Sequence, residues 1–400
     1  MEVWITGAAC LCAAGRRLSE TFQALLSGPT PPPRPPARLL ALAEAQGWDL
    51  RSHPAFSLPD DCFPSGFRHS AADGLALEEA VMREALERAG LTPADLAGSA
   101  CGVIMGATAG NALHFLTDYA DLRNGRPTEG QGLKDFFAAN PAQALTEKWR
   151  LKGPALTIGN ACCSGGDAIG LGGELIRSGR CRQVLAGGVD ALSLIPYIGF
   201  KRLMIYSDQP CRPFDRERRG LNLGEGAGML LMESPDSARE RGARPLARLL
   251  AYAAASDAHH LTAPHPEALG LKRAIGTALR RAKLKPEDLA FVNAHGTATR
   301  DNDRSEALTF QAEIPGTPLW ASKGSTGHTL GAAGAIEAAL TVAALESDSL
   351  PPSHGFQEAD PELGLTPSAP LARLRGRAAM SVSLGFGGGN SVLIFERGAA

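Results

Sequence analysis

The chain has 400 residues, enough for two or three domains of about 100–200 residues or for two halves of one large core. With 44% hydrophobic and 20% charged residues it is neither disordered nor fibrous, and 40 Lys+Arg against 42 Asp+Glu give a net charge of -2, with no global attraction to nucleic acid or an anionic membrane. Eight cysteines are too sparse for a disulfide scaffold, and the pairs Cys10/Cys12 and Cys162/Cys163 lack the spacing of a zinc site, so reduced thiols and no metal are expected.

The opening MEVWITGAACLCAAG has no basic region ahead of its apolar stretch and runs straight into a strand pattern. No uninterrupted apolar run of about 18 residues follows, which predicts a cytoplasmic protein without a membrane span. The Pro-rich TPPPRPPAR, residues 30–38, cannot continue a helix. GLALEEAVMREALERAG then reads as a helix, CGVIMGA as a strand, and residues 111–148 as a long helical insertion. ALTIGNA is a strand, GGDAIGLGGELIRSG a helix and QVLAGGVDAL a strand, and residues 220–234 close a first half with another strand. After the charged link SPDSARERGARP the same grammar restarts with ARLLAYAAAS, GLKRAIGTALRRAKL, AFVNAHGT, a helix from about Gly334 to Leu345, and AAMSVSLGFGGGNSVLIFE. This order predicts an α/β fold of parallel strands joined by crossover helices, in two pseudo-repeated halves, residues 1–240 and 241–400.

Four segments carry candidate chemistry. In ALTIGNACCSGGDAIG a strand stops at Asn160-Ala161 and a helix rich in small residues begins near Ser164, which places Cys162 or Cys163 at a helix N-terminus, a position that favours a thiolate. FVNAHGTATRDND puts His295 directly after a strand, and ASKGSTGHTLGAAGAIEAAL sets Lys323 and His328 on a Ser/Thr/Gly loop leading into a helix that carries Glu337. Two histidines at the C-terminal ends of different strands fit the usual place of α/β active sites. The glycine-rich SLGFGGGNSVLIF and GEGAG lack an acidic ribose partner or a P-loop lysine, so phosphate binding by them is discounted.

Together these segments resemble the β-ketoacyl-acyl carrier protein synthases, the elongating type II condensing enzymes of the thiolase superfamily, from VWITGA to GFGGGNSVLIF. The family's A-C-x-S-G turn matches Ala161 to Gly165, making Cys162 the nucleophile; its N-A-H-G-T matches Asn293 to Thr297, and its K-x-x-x-G-H matches Lys323 to His328. Glu337 matches the family's helix glutamate, and Gly385 to Gly388 its glycine turn with Phe386 as gate. CRPFDRERRGLNLGEGAG and SDAHHLTAP fit more loosely, while Asn160, residues 111–148 and YIGFKRLMIYS depart from the housekeeping pattern and leave the acyl substrate and pathway open.

The resemblance implies a thiolase fold in five αβαβα layers, usually a homodimer or else a heterodimer with a related condensing subunit. It implies decarboxylative condensation of an acyl group on Cys162 with malonyl carrier protein, in fatty acid, polyketide or aryl polyene synthesis, without a bound cofactor, because the phosphopantetheine arm arrives on the acyl carrier protein. His295 and His328 would donate hydrogen bonds to the malonyl thioester oxygen, Lys323 would supply positive charge that orders the pocket, Glu337 would be a hydrogen-bonded support or an ion site, Phe386 would support the site as its gate, and Thr297, Thr299 and His260 would bind substrate. Arg68, Lys201 and Arg202 are the expected carrier-protein contacts. A thiolase proper would need a cysteine near the C-terminal glycine turn, yet none follows Cys211, and an initiating type III enzyme would carry Asn in place of one His. The remaining alternative, a silent chain-length-factor subunit, usually lacks the nucleophile.

Overall fold

A computed structural model describes residues 1–28, 35–45, 47–63, 71–108, 116–130, 134 and 140–398. Ten strands run in the order β3-β2-β4-β5-β1-β6-β10-β9-β7-β8. They are β1 (Trp4–Cys12), β2 (Gly102–Gly106), β3 (Ala155–Ile158), β4 (Gln183–Asp190), β5 (Gly226–Glu233), β6 (Ala247–Ser256), β7 (Leu289–Asn293), β8 (Leu319–Trp320), β9 (Ala378–Gly385) and β10 (Gly389–Arg397). Counted from each half's own first strand, both halves read 3-2-4-5-1 from the outer edge inward. They meet where β1 and β6 pair through Trp4 with Arg248 and Ile5 with Ala247.

Parallel strands alone do not make this sheet. β2 runs parallel to β3 and β4, and β7 to β8 and β9, but the five pairings in the middle are antiparallel. One cause is local: β9 and β10 are joined by the glycine turn, whose Gly387 and Gly388 sit at φ +85° and +81°, and a connection this short can only return the chain antiparallel. Of residues 220–234, expected to form a strand, only Gly226–Glu233 does so.

Two helices, Ser164–Arg177 and Ala333–Ser347, lie against one another and against strands of both half-sheets, forming the middle layer. The helix Ala71–Arg88 covers β1 and β5 on one outer face and Leu269–Ala282 covers β6 and β10 on the other, completing five αβαβα layers. Small residues make the middle layer thin enough: a Cβ on Gly334 would lie 2.8 Å from the Gly166 nitrogen, and one on Gly165 would lie 2.7 Å from the Gly331 carbonyl oxygen. Among the described residues, Leu330–Ser347 is the one helical segment long and apolar enough to cross a membrane, and 89% of it is buried in this layer. All eight cysteines are free thiols.

Of the 111–148 insertion, the described parts include helices Leu116–Arg123 and Pro141–Lys148. Residues 30–34 of the Pro-rich segment lie outside the described residues; the helix Ala37–Ala45 starts at the segment's last two residues. Leu39, Leu50 and Ala55 from this early excursion share a core cluster with Tyr197 and Phe200 of the helix Leu194–Arg202, and Phe386 packs against that cluster.

Candidate active site

Between the end of β3 and the helix at Ser164 the chain turns sharply, with Ala161 at φ +45°, a conformation that strains a residue bearing a Cβ. Hydroxyls hold it there. Thr108 Oγ1 and Ser164 Oγ donate to the Ala161 carbonyl at 2.8 and 2.6 Å, and Ser164 Oγ accepts from the Asn160 N–H at 2.9 Å. The turn sends the two cysteines opposite ways. Cys162 lines a cavity of about 550 Å³, whereas Cys163 points into the core and donates its thiol to the Ser383 carbonyl at 3.2 Å.

The expected standing thiolate is not what this environment favours. Burial pushes the Cys162 thiol up to about 12, opposed by the charge of Lys323 and the Phe386 N–H. Two features explain the correction. Cys162 is 5% exposed, and the N–H groups of Cys163 and Ser164 are already spent on the Asn160 and Ala161 carbonyls at 3.0 and 3.2 Å instead of facing the sulfur. Cys162 therefore rests as a thiol.

The second half brings the other groups from the ends of β7 and β8. The backbone N–H groups of His295 and Gly296 both donate to the buried carboxylate of Glu306, each at 2.7 Å, and Asn302 Nδ2 donates to the same group at 2.8 Å. Burial, with nearby Asp303 adding to it, raises Glu306 to about 8. Asp303, raised to about 6 by burial, accepts from the Phe214 and Ala298 N–H groups at 2.7 and 3.2 Å. Neither acid was picked out from sequence, because acids on a helix as charged as TRDNDRSEA read as solvated; their eight- and eleven-residue spacing from His295 is the only trace they leave.

Lys323, 1% exposed, donates to the His295 carbonyl at 2.6 Å, pairs with Glu337 and lies 3.2 Å from His295 Nδ1. An ammonium has no lone pair, so Nδ1 must accept and the ring proton sits on Nε2. His328 reaches the same tautomer differently: its Nδ1 accepts the Leu330 N–H at 3.1 Å. Burial first, then Lys323, holds both imidazoles well below the usual histidine range, so both are neutral Nε2–H donors. Burial raises Glu337 to about 7, with Lys323 opposing.

The sulfur of Cys162 and ring nitrogens of both histidines lie within 4.8 Å of one another, with the imidazoles 5.1 Å apart and nearly perpendicular. Sulfur with two nitrogens at this separation could ligate a zinc-like ion, but an ion there would displace the two Nε2 protons and face the buried Lys323 ammonium. The trio is better suited to gripping a neutral carbonyl oxygen. Phe386 stands 5.4 Å from Phe200, which is 6.4 Å from His328, so an aromatic pair walls the cavity beside the histidines.

Thr297 and Thr299 line the cavity, their hydroxyls 2.8 Å apart. His260 does not: it is exposed, and its Nδ1 accepts from the Thr262 and Ala263 N–H groups, fixing a loop whose Thr262, Ala263 and Pro264 do line the cavity. Lys201 donates to the Asp49 carbonyl at 2.9 Å, and the Arg202 guanidinium stacks 4.8 Å from the Trp48 ring centre, so both have partners in the early excursion and neither lines the cavity. Arg68 lies outside the described residues.

Family models for the beta-ketoacyl synthase N-terminal and C-terminal domains match residues 1–238 and 246–357. The tetracenomycin polyketide synthase ketoacyl synthase alpha subunit of Streptomyces glaucescens is 32% identical, over 99% of this chain and 97% of that protein. A 3-oxoacyl-[acyl-carrier-protein] synthase 2 from Synechocystis is 37% identical, with 66% of each chain covered. Among solved structures, the ishigamide ketosynthase/chain length factor superposes with a TM-score of 0.86 at 29% identity, covering 99% of both chains.

Proposed function

The chain belongs to the β-ketoacyl synthase family of acyltransferases, and from that premise we propose that it joins an acyl group held on Cys162 to a malonyl unit carried by an acyl carrier protein. Cys162 sulfur attacks the acyl thioester carbonyl; the new C–S bond forms as the carrier's C–S bond breaks, and the thiol proton leaves with the pantetheine thiol. Backbone N–H groups of Cys162 and Phe386 receive the developing oxyanion. Malonyl carrier protein then loses its carboxylate as carbon dioxide. The electron pair stays as an enolate whose oxygen takes hydrogen bonds from His295 and His328 Nε2, and its carbon attacks the acyl-cysteine, releasing the Cys162 thiolate. No redox step occurs, and the chemistry calls for no cofactor beyond the arm on the carrier.

One observation carries this reading: two neutral imidazoles with fixed Nε2–H tautomers converge on the one cavity-facing cysteine. A silent chain-length-factor role finds no support in that arrangement. We place the enzyme in the cytoplasm, in fatty acid or specialised polyketide or aryl polyene synthesis, as a homodimer or paired with a related subunit. Arg68, Lys201 and Arg202 remain the proposed carrier-protein face. Purified protein given acyl and malonyl carrier proteins should yield β-ketoacyl carrier protein by intact mass spectrometry, with the acyl group trapped on Cys162 when malonyl substrate is withheld. Acylation without any condensed product would overturn the proposal.

A further inference from the structure

Cys162 comes from the first half of the chain and His328 from the second, so the gap between them depends on what joins their two loops behind the cavity. One side chain does so. Asp190, buried at the end of β4, turns a single carboxylate oxygen, Oδ2, to both: it accepts from the Thr108 N–H at 2.8 Å and from the Gly331 N–H at 2.6 Å. Thr108 is the residue whose hydroxyl holds the Ala161 carbonyl at 2.8 Å, next to Cys162 in the chain. Gly331 follows Leu330, whose N–H donates to His328 Nδ1 at 3.1 Å and so sets the tautomer of that ring. From nucleophile to imidazole, this path crosses one hydroxyl, one carboxylate and one turn of backbone.

The packing around Asp190 fits that contact. A Cβ on Gly331 would stand 2.5 Å from the Thr108 nitrogen, and one on Gly188, on the same strand as Asp190, 2.7 Å from the Gly331 carbonyl oxygen, so glycines at both places let the backbones meet beside the carboxylate. Gly331 also lies in the short helical turn Leu330–Ala332 that opens the helix Ala333–Ser347, and neither Thr329 nor Ala332 gives a side-chain cap. Asp190 supplies that cap from another element, where the helix dipole favours a negative charge. Its charge also reaches the nucleophile. Burial is the main reason the Cys162 thiol is raised; Asp190 and Glu337 add to it, while Lys323 and the Phe386 N–H oppose it.

We propose that Asp190 is a positioning residue for the condensation: by bonding the Thr108 loop and the Gly331 turn through one oxygen, it fixes the distance across which the acyl-cysteine and the enolate held by His328 meet. This rests on the condensing-enzyme reading above and adds what keeps its two half-sites in register. Asp190 does not line the cavity, so it acts through Thr108 on one side and Leu330 on the other.

Three variants test this, with decarboxylation of malonyl carrier protein reading the register and alkylation of Cys162 reading the charge. Asp190→Ala should lower kcat at least about tenfold with KM little changed, since an ångström of misplacement costs up to about 10²-fold. Asp190→Asn still accepts both N–H bonds, but as a neutral and weaker acceptor, and should lose about threefold. Asp190→Glu should regain most of what the Ala variant loses. In the Ala and Asn variants alkylation should be about threefold faster, because a lower thiol pKa gives more thiolate and a somewhat weaker nucleophile. The gain should be larger for anionic iodoacetate than for neutral iodoacetamide, and Asp190→Glu should keep the wild-type ratio, whereas a loosened fold would admit both reagents alike. Decarboxylation within about twofold of wild type in the Ala variant, or an unchanged reagent ratio in the Asn variant, would overturn the proposal. If the Ala variant does not fold, the other two decide: a loss of about threefold in Asn that Glu restores supports the proposal, and equal kcat in wild type and Asn overturns it. Alkylation needs no substrate, so a wild type inert toward both acyl and malonyl carrier proteins would sink the condensing-enzyme reading separately from the charge of Asp190 at the thiol.

Discussion

The two halves of the molecule deliver their reactive groups from matching places in one topology, yet hold them by different physics. β3 leads through the Cys162 turn into the helix Ser164–Arg177; β8, its counterpart, leads through the Lys323–His328 loop into the helix Ala333–Ser347. In the first half the turn is fixed around one strained residue, Ala161, by hydroxyl bonds from Thr108 and Ser164 and by two buried carboxylates, Asp167 accepting from Asn160 Nδ2 at 2.6 Å and Asp190 from the Thr108 N–H at 2.8 Å. In the second, a buried ion pair, Lys323 with Glu337, and the buried acid Glu306 fix the backbone and tautomer of His295. A duplicated scaffold can thus place a nucleophile beside a buried carboxylate, Asp190, that favours its thiol form, and electrophilic donors around a buried ion pair, a few ångströms apart.

The largest effect expected from breaking the comparison is at the nucleophile. Cys162→Ala should abolish condensation to below detection, whereas Cys163→Ala should leave Cys162 acylation intact, since Cys163 faces the Ser383 carbonyl. Iodoacetamide labelling of wild-type Cys162 should climb steadily between pH 7 and 9 without a plateau, because a thiol raised to about 12 gains thiolate as pH rises. A plateau by pH 7 would show a standing thiolate and erase the electrostatic contrast between the halves.

Lys323→Met comes next. It strands Glu337 in a fully buried site, and breaking such a pair costs about 3–5 kcal/mol. Without Lys323 the Glu337 carboxyl rises further above its unfolded value, so the folded variant holds a proton that the unfolded chain releases. Its stability should therefore recover as pH falls toward 5 and worsen toward pH 8, and Lys323→Met/Glu337→Met should regain much of the loss in urea unfolding. A single variant as stable as wild type at pH 8 would mean that the pair does not hold this half together.

His295→Ala and His328→Ala should each slow malonyl decarboxylation by roughly 10²–10³-fold, the usual cost of one preorganised donor, while slowing Cys162 acylation far less. Equal damage to both half-reactions in both variants would remove the division between a nucleophile half and a donor half.

Much of this was legible in the chain. Cys162, His295, Lys323 and His328 each follow a strand pattern and precede a turn or helix of small residues, and such local grammar survives into the fold. What depends on distant packing was not. The antiparallel middle of the sheet follows from long excursions such as residues 191–225, whose path no periodicity encodes. Lys201 and Arg202 find their partners in Asp49 and Trp48, some 150 residues earlier. The raised Cys162 thiol comes from burial in a cavity shared with Phe200, His295, His328 and Phe386 from distant segments, which a helix-terminus argument made on one segment cannot see.

The smallest expected effect bears on the first half alone. Thr108→Val removes one neutral hydrogen bond to the Ala161 carbonyl and leaves that from Ser164, so the loss should be about 1 kcal/mol in urea unfolding with acylation slowed only slightly. Ser164→Ala removes two, the bond to Ala161 and the one received from the Asn160 N–H. It should cost more than Thr108→Val, and the double variant should exceed the sum of the two, because Ala161 then holds its positive φ with neither hydroxyl in place. Acylation should slow in the same order as stability falls. Strictly additive losses with unchanged acylation would show that the backbone keeps this turn unaided, and the contrast with the ion-paired half would then rest on charge alone.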